Sequence, residues 1–131
     1  MQTFTAPGQS TIFINPKGWI DVAWGETIDK DEYVFIAQHM VNMEVLMGDQ
    51  GKQPRMLIDF TNLRHITPDA TKLAASATSG LASQKIAGFG IAPDFKGVLD
   101  SIKTNSKRTD VIREFASRAA AEEWLAQPSS L

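Results

Sequence analysis

From residue 55 onward, short apolar runs alternate with longer segments of helical spacing, and that alternation restricts the fold more than any other feature. Arg55-Met56-Leu57-Ile58-Asp59-Phe60 is the nearly continuous apolar run that a strand covered on both faces requires. Lys85-Ile86-Ala87-Gly88-Phe89-Gly90-Ile91 and Val111-Ile112-Arg113-Glu114-Phe115 follow as further strands, and the two glycines of the first let a neighbour approach closely. Between the first two strands, Thr67-Pro68-Asp69 has the residue types of a helix start: a Thr cap, Pro at the first helical position and an acid in the first turn. The helix it opens puts Ala70, Leu73, Ala74, Ala77 and Leu81 on one face, with Lys72, Ser76, Ser79 and Ser83 elsewhere. A third helix runs from Pro93 to about Ser106 with Phe95, Val98, Leu99 and Ile102 inward. Ser117 caps a last one whose apolar face is Ala120, Ala121, Trp124 and Leu125. Strands joined in this way lie parallel in one sheet, with right-handed crossovers.

The first half of the chain adds an antiparallel portion. Thr11-Ile12-Phe13-Ile14 and Trp19-Ile20-Asp21-Val22-Ala23-Trp24 flank Asn15-Pro16-Lys17-Gly18, which predicts a β-hairpin. Trp19, Asp21 and Ala23 then share one face of the second strand, and Ile20, Val22 and Trp24 the other. Asp29 with Glu32 three residues later has capping-box spacing for a helix over 30–47, stopped by Gly48. Tyr33, Ile36, Ala37, Met40, Val41 and Met47 form its expected core stripe, yet Phe35, Met43 and Leu46 outside that stripe are apolar too. The expected order is β-β-α-β-α-β-α-β-α: one α/β domain over residues 1–131, a mixed sheet with an N-terminal hairpin and parallel strands joined by helices. Residues 1–10 and 127–131 read as flexible ends.

Several function classes are excluded by composition. Thirteen Lys and Arg against fifteen Asp and Glu give a net charge of −2, the wrong sign for a general nucleic-acid binder. Cysteine is absent, which removes disulfides, thiol catalysis and thiolate metal sites and fits a reducing compartment. The start Met1-Gln2-Thr3-Phe4-Thr5-Ala6-Pro7-Gly8 lacks the basic and apolar regions of a secretory signal, and no stretch approaches the ~20 apolar residues of a membrane span. A cytoplasmic location is the expectation.

The strand ending in Ile58-Asp59-Phe60, the short loop and the helix beginning near Thr67 resemble the STAS domain of anti-sigma-factor antagonists. The closing stretch Val111-Ile112-Arg113-Glu114-Phe115-Ala116-Ser117, with Ala120, Ala121, Trp124 and Leu125, is similar to the end of the SpoIIAA-like branch of that superfamily. The resemblance implies a STAS-like fold and a non-enzymatic regulatory module that binds proteins, small ligands or lipid. Regulatory members carry a phosphorylatable Ser, usually after Asp, at the start of the helix after the Asp-ending strand. Those two positions fall here on Thr67 and Pro68, so the serine is missing and Thr67 alone is left as a displaced phosphoacceptor.

The most polar segment, Thr61 to Asp69, lies at the carboxyl end of a parallel strand, where open α/β sheets place ligands. Asn62, Arg64, His65 and Thr67 are its candidate anion-binding residues, with the Thr67 helix start as receptor; turn hydrogen bonds and simple capping explain the same residues. His39 and His65, the only histidines, lack metal-ligand spacing, and Gly88-Phe89-Gly90 lacks the rest of a dinucleotide fingerprint, so no cofactor or metal is assigned. Lys96, Lys103, Lys107 and Arg108 make a basic face, either solvated or suited to peripheral contact with anionic lipid. Phe35, Met43 and Leu46 are the expected association surface, covered by a homodimer mate, an unidentified protein partner or a small apolar ligand. The resulting expectation is a regulatory module acting through protein–protein contact. The alternatives are a carrier or sensor of lipid or another apolar molecule, and a small hydrolase or isomerase using Asp59, His65 and Thr67.

Overall fold

A computed structural model describes residues 2–128. Its main sheet has six strands: β1 (Phe4–Thr5), β2 (Thr11–Asn15), β3 (Trp19–Ala23), β5 (Arg55–Asp59), β7 (Lys85–Phe89) and β8 (Ile112–Phe115), in the order β1-β2-β3-β5-β7-β8. The first three are antiparallel neighbours, and β3, β5, β7 and β8 run parallel. A separate parallel pair joins β4 (Thr27–Ile28) to β6 (His65–Ile66).

Four helices cover the sheet: α1 (Lys30–Asp49), α2 (Pro68–Ser79), α3 (Lys96–Ser106) and α4 (Arg118–Ala126), with a short 3-10 turn (Pro93–Phe95) before α3. Asp29, Thr67 and Ser117 each accept a backbone N–H three residues on, so the three caps form where the residue types place them. Period-two alternation divides the core into two layers. Ile12, Ile20, Val22, Met56 and Ile86 pack with residues of α1, α2 and α3, while Trp19, Leu57, Ala87 and Phe89 pack with Ala121 and Leu125 of α4. Met56 and Leu57 are both fully buried, as a central strand covered on both faces demands.

The structure corrects several expectations. Three two-residue strands, β1, β4 and β6, add to the expected order, and α1 runs through Gly48 to Asp49 with Gln50 as its cap. Residues 1–10 are not a loose end: β1 pairs with β2, Ala6 and Ser10 are buried, and only Met1 lies outside the described residues. At the other end Gln127 is tied down by its N–H to Trp124 O and by Lys85 on its carbonyl, whereas Ser129 to Leu131 lie outside the described residues. Helix α2 stops at Ser79, and Leu81 and Ser83 are buried in the loop after it. On α1 the core row is Tyr33, Ile36, Met40, Met43 and Met47. Met43 therefore belongs to the core rather than to an association surface, and Val41 points to solvent.

Candidate functional site

The loop from Thr61 to Asp69 is held by backbone bonds to the β4 segment: Arg64 N and His65 N donate to Glu26 O, and Thr67 N to Ile28 O. Asp59 ends β5, and its carboxylate accepts Thr61 N–H at 2.8 Å, an Asx-type turn. Arg64 folds back on the carbonyls of Thr61 and Leu63, and Asn62 and His65 are exposed. The Thr67 hydroxyl donates to Asp69 Oδ1 at 2.5 Å and accepts Ala70 N–H at 3.3 Å. Asp69 Oδ1 also takes Ala70 N–H, at 2.9 Å. The Thr67 hydroxyl, ahead of the Ala70 N–H, holds the Asp69 carboxyl below its ordinary range.

The start of α2 thus already holds an anion, supplied by the chain. Asn62, Arg64, His65 and Thr67 do not converge on a common ligand position. A phosphate on Thr67 would gain the helix N-terminus but stand against the Asp69 carboxylate. Asp59, His65 and Thr67 are not joined by hydrogen bonds, so no nucleophile–base pair is assembled from them. Among the described residues no group of three or more His, Asp or Glu is placed to hold a metal. Three of the four cations of the expected basic face have partners within the molecule, and Lys107 is exposed. Lys96 and Lys103 lie 3.3 and 3.9 Å from Glu114, and Arg108 donates to the carbonyls of Leu81 and Ser83.

The outer side of α1 is different in kind. From Tyr33 to Gly48 the chain holds one residue of the Asp, Glu, Lys and Arg class, Glu44, and it is buried. Val41, Val45 and Leu46 are 47%, 57% and 52% exposed, the exposed large hydrophobic residues among the described ones. Phe35 is half-buried, its ring 4.3 Å from that of His39, which in turn lies 4.4 Å from Phe4. His39 Nδ1 is 2.9 Å from Phe35 O. A carbonyl only accepts, so Nδ1 carries the proton and the ring is fixed in place. Beside this stack a groove of about 500 Å³ runs between α1 and the β1–β2 edge, lined by Phe4, Ile14, His39, Asn42, Met43 and Leu46.

Two buried carboxylates fix the inner side of the same helix. Glu32 accepts Gly8 N–H at 2.7 Å and Ser10 N–H at 3.0 Å. Glu44 accepts Ala82 N–H at 2.9 Å, Ser83 N–H at 2.7 Å and the Ser83 hydroxyl at 2.5 Å. The helix cannot rotate to bury Val41, Val45 and Leu46 without breaking these bonds. Sequence reasoning placed Leu46 and Phe35 near this surface but missed Val41 and Val45. The available signal was the scarcity of charge between Glu32 and Asp49, where Glu44 stands alone, more than the apolar count. Compared with protein-family models and with curated proteins, the chain matches none of them.

Proposed function

We propose that the protein is a non-enzymatic interaction module of STAS-like type that associates through the outer face of α1, and that its partner there is a second copy of the chain. One observation carries the reading: three exposed apolar side chains on a helix face that bears no exposed charge from Tyr33 to Gly48. In a twofold contact, residues near the axis meet their own copies, so a charged face repels itself and a neutral one does not. The outer faces of α3 and α4, with Lys96, Asp100, Glu122 and Glu123, are charged. At 1.5 Å per residue the twenty residues of α1 extend about 30 Å. That length supplies the central strip of an interface of ordinary size, with the β1–β2 edge as its rim. The STAS-like reading rests on the antiparallel hairpin followed by parallel strands, and on a strand ending at Asp59 that leads to a helix starting at Thr67.

The other readings find less support. The cavity between the sheet and α1–α3 is about 40 Å³, an order of magnitude below the roughly 300–1,000 Å³ that small-molecule sites occupy; the groove of about 500 Å³ beside α1 has that volume, and it lies along the face assigned here to the second copy. A hydrolase would need Thr67 activated by a base; its hydroxyl is held by Asp69, whose carboxyl that bond pulls below its ordinary range and so leaves a weak base, and His65 makes no hydrogen bond to it. Sedimentation equilibrium tests the proposal. Wild type is expected to be a dimer at micromolar concentration and Val41→Lys with Leu46→Lys a folded monomer, while Glu123→Lys on α4 leaves the dimer intact. A monomeric wild type, or a double variant that stays dimeric, would overturn it.

A further inference from the structure

We infer that the cavity beneath α3 is a hydrated internal site, in which a small cluster of water accepts the indole N–H of Trp24 and bridges it to the hydroxyls of Tyr33 and Thr78. Trp24 directly follows β3 and is tied to β5 by its backbone N–H on Asp59 O. The residue is 5% exposed, and its Nε1 is fully buried with no hydrogen-bond acceptor among the described residues. Buried donors of this kind are rare and point to an occupant.

The space beside it has the right size and lining. The cavity measures about 40 Å³ and is bounded by Trp24, Tyr33, Thr78, Gly88, Leu99 and Ile102 among others. A water needs a void of roughly 10–15 Å³ on this scale and two to four polar partners, and Trp24, Tyr33 and Thr78 supply three. Gly88 on β7 lets the Phe60 ring lie against the strand at the edge of this space: a Cβ there would stand 2.9 Å from the ring. Tyr33 and Thr78 are buried, and burial pushes the Tyr33 hydroxyl up to about 12 while a hydrogen bond from Thr78 pulls the other way. The Tyr33 hydroxyl therefore stays neutral at every ordinary pH and keeps its proton to donate. A larger apolar guest does not fit this volume.

The competing arrangement points the indole N–H at an aromatic face, since Trp24 stands edge-on to Phe60 at 4.8 Å and to Tyr33 at 5.9 Å. Water-selective NMR on the uniformly ¹⁵N-labelled chain separates the two. The chain has three tryptophans, and Trp24→Phe identifies the Trp24 Hε1 signal. The expected result is a downfield Hε1 with a cross-peak to water of the sign given by a long-lived bound molecule. That cross-peak should survive in Tyr33→Phe, where the phenolic proton cannot relay it, and in Thr78→Val, where the threonine hydroxyl cannot, and vanish in Thr78→Leu, which fills the space. An upfield, ring-shifted Hε1 without a water cross-peak overturns the inference, as does a cross-peak lost in Tyr33→Phe or Thr78→Val, or retained unchanged in Thr78→Leu.

Discussion

Helices α1 and α4 cover opposite faces of one sheet and are held there by opposite means. Helix α4 is bound through charge. Arg118 reaches buried Asp21 on β3 and, at 2.7 Å, Glu122 on its own helix, and Lys17 from the hairpin turn meets Glu122 at 3.1 Å. Its C-terminal carbonyls are capped by cations: Lys85 Nζ donates to Trp124 O at 2.8 Å and Gln127 O at 2.9 Å, and Arg55 donates to Leu125 O. Lys85 and Arg113 also lie 4.9 and 5.2 Å from the Trp124 ring. Helix α1 instead uses two inward carboxylates on backbone amides and, from Tyr33 to Gly48, keeps charge off its outer side. A helix whose polar groups face outward is finished by water. One whose polar groups face inward leaves an apolar surface that another protein can finish.

The inward carboxylates carry the largest expected effect. Glu44→Leu leaves the N–H groups of Ala82 and Ser83 and the Ser83 hydroxyl without their acceptor. At about 1–3 kcal/mol per orphaned group, partly relieved by water, the loss is about 3–5 kcal/mol. Urea unfolding measures it, and a loss below about 1 kcal/mol would show that Glu44 does not hold α1. Tyr33, on the same inner side, gives the next effect. Its pKa is raised from 10.0 to about 12 by burial, so between these values the unfolded chain has released a proton that the native chain keeps. The contribution is fully present below pH 10 and is lost as pH rises towards 12, to a total of about 2–3 kcal/mol. Tyr33 is the only tyrosine, so phenolate absorbance reports it alone. Phenolate near pH 10 with native circular dichroism would contradict the burial.

On the α4 side the effect is smaller. Arg118→Ala leaves Asp21 with only the Asn15 amide at 3.2 Å. The Arg118 side chain is 40% exposed, so solvent screens the pair and the expected loss is about 1–2 kcal/mol. Added salt should reduce the difference between wild type and Arg118→Ala, and should leave the Glu44→Leu difference almost unchanged. Equal salt sensitivity would remove the distinction between the two helices.

The fold was legible where period and cap chemistry agree. Trp19 and Asp21 face α4 and Ile20 and Val22 face the other helices because a strand alternates strictly, and Thr67 and Ser117 cap because their hydroxyls reach the orphan N–H groups. Strands β1, β4 and β6 were not legible, since two residues carry no period. The rotation of α1 was misread for a physical reason. A segment apolar nearly all round does not say which side is inner, and an acid such as Glu44 is expected outside unless its backbone partners are known. The same limit separated Met43, which is core, from Val41, which is not. At the Thr67 loop, residue types suggested a site, while the actual hydrogen bonds close within the loop.

Disulfide trapping tests the central claim most directly, because the chain has no cysteine of its own. Single replacements Val41→Cys, Val45→Cys and Leu46→Cys on α1, with Glu123→Cys on α4 as control, are oxidised gently at micromolar concentration. A twofold contact along α1 predicts rapid covalent dimers from at least one α1 position, suppressed by adding Val41→Lys or Leu46→Lys at a neighbouring site, and none from the control. Equal, slow trapping at all four positions would place the contact elsewhere and contradict the account.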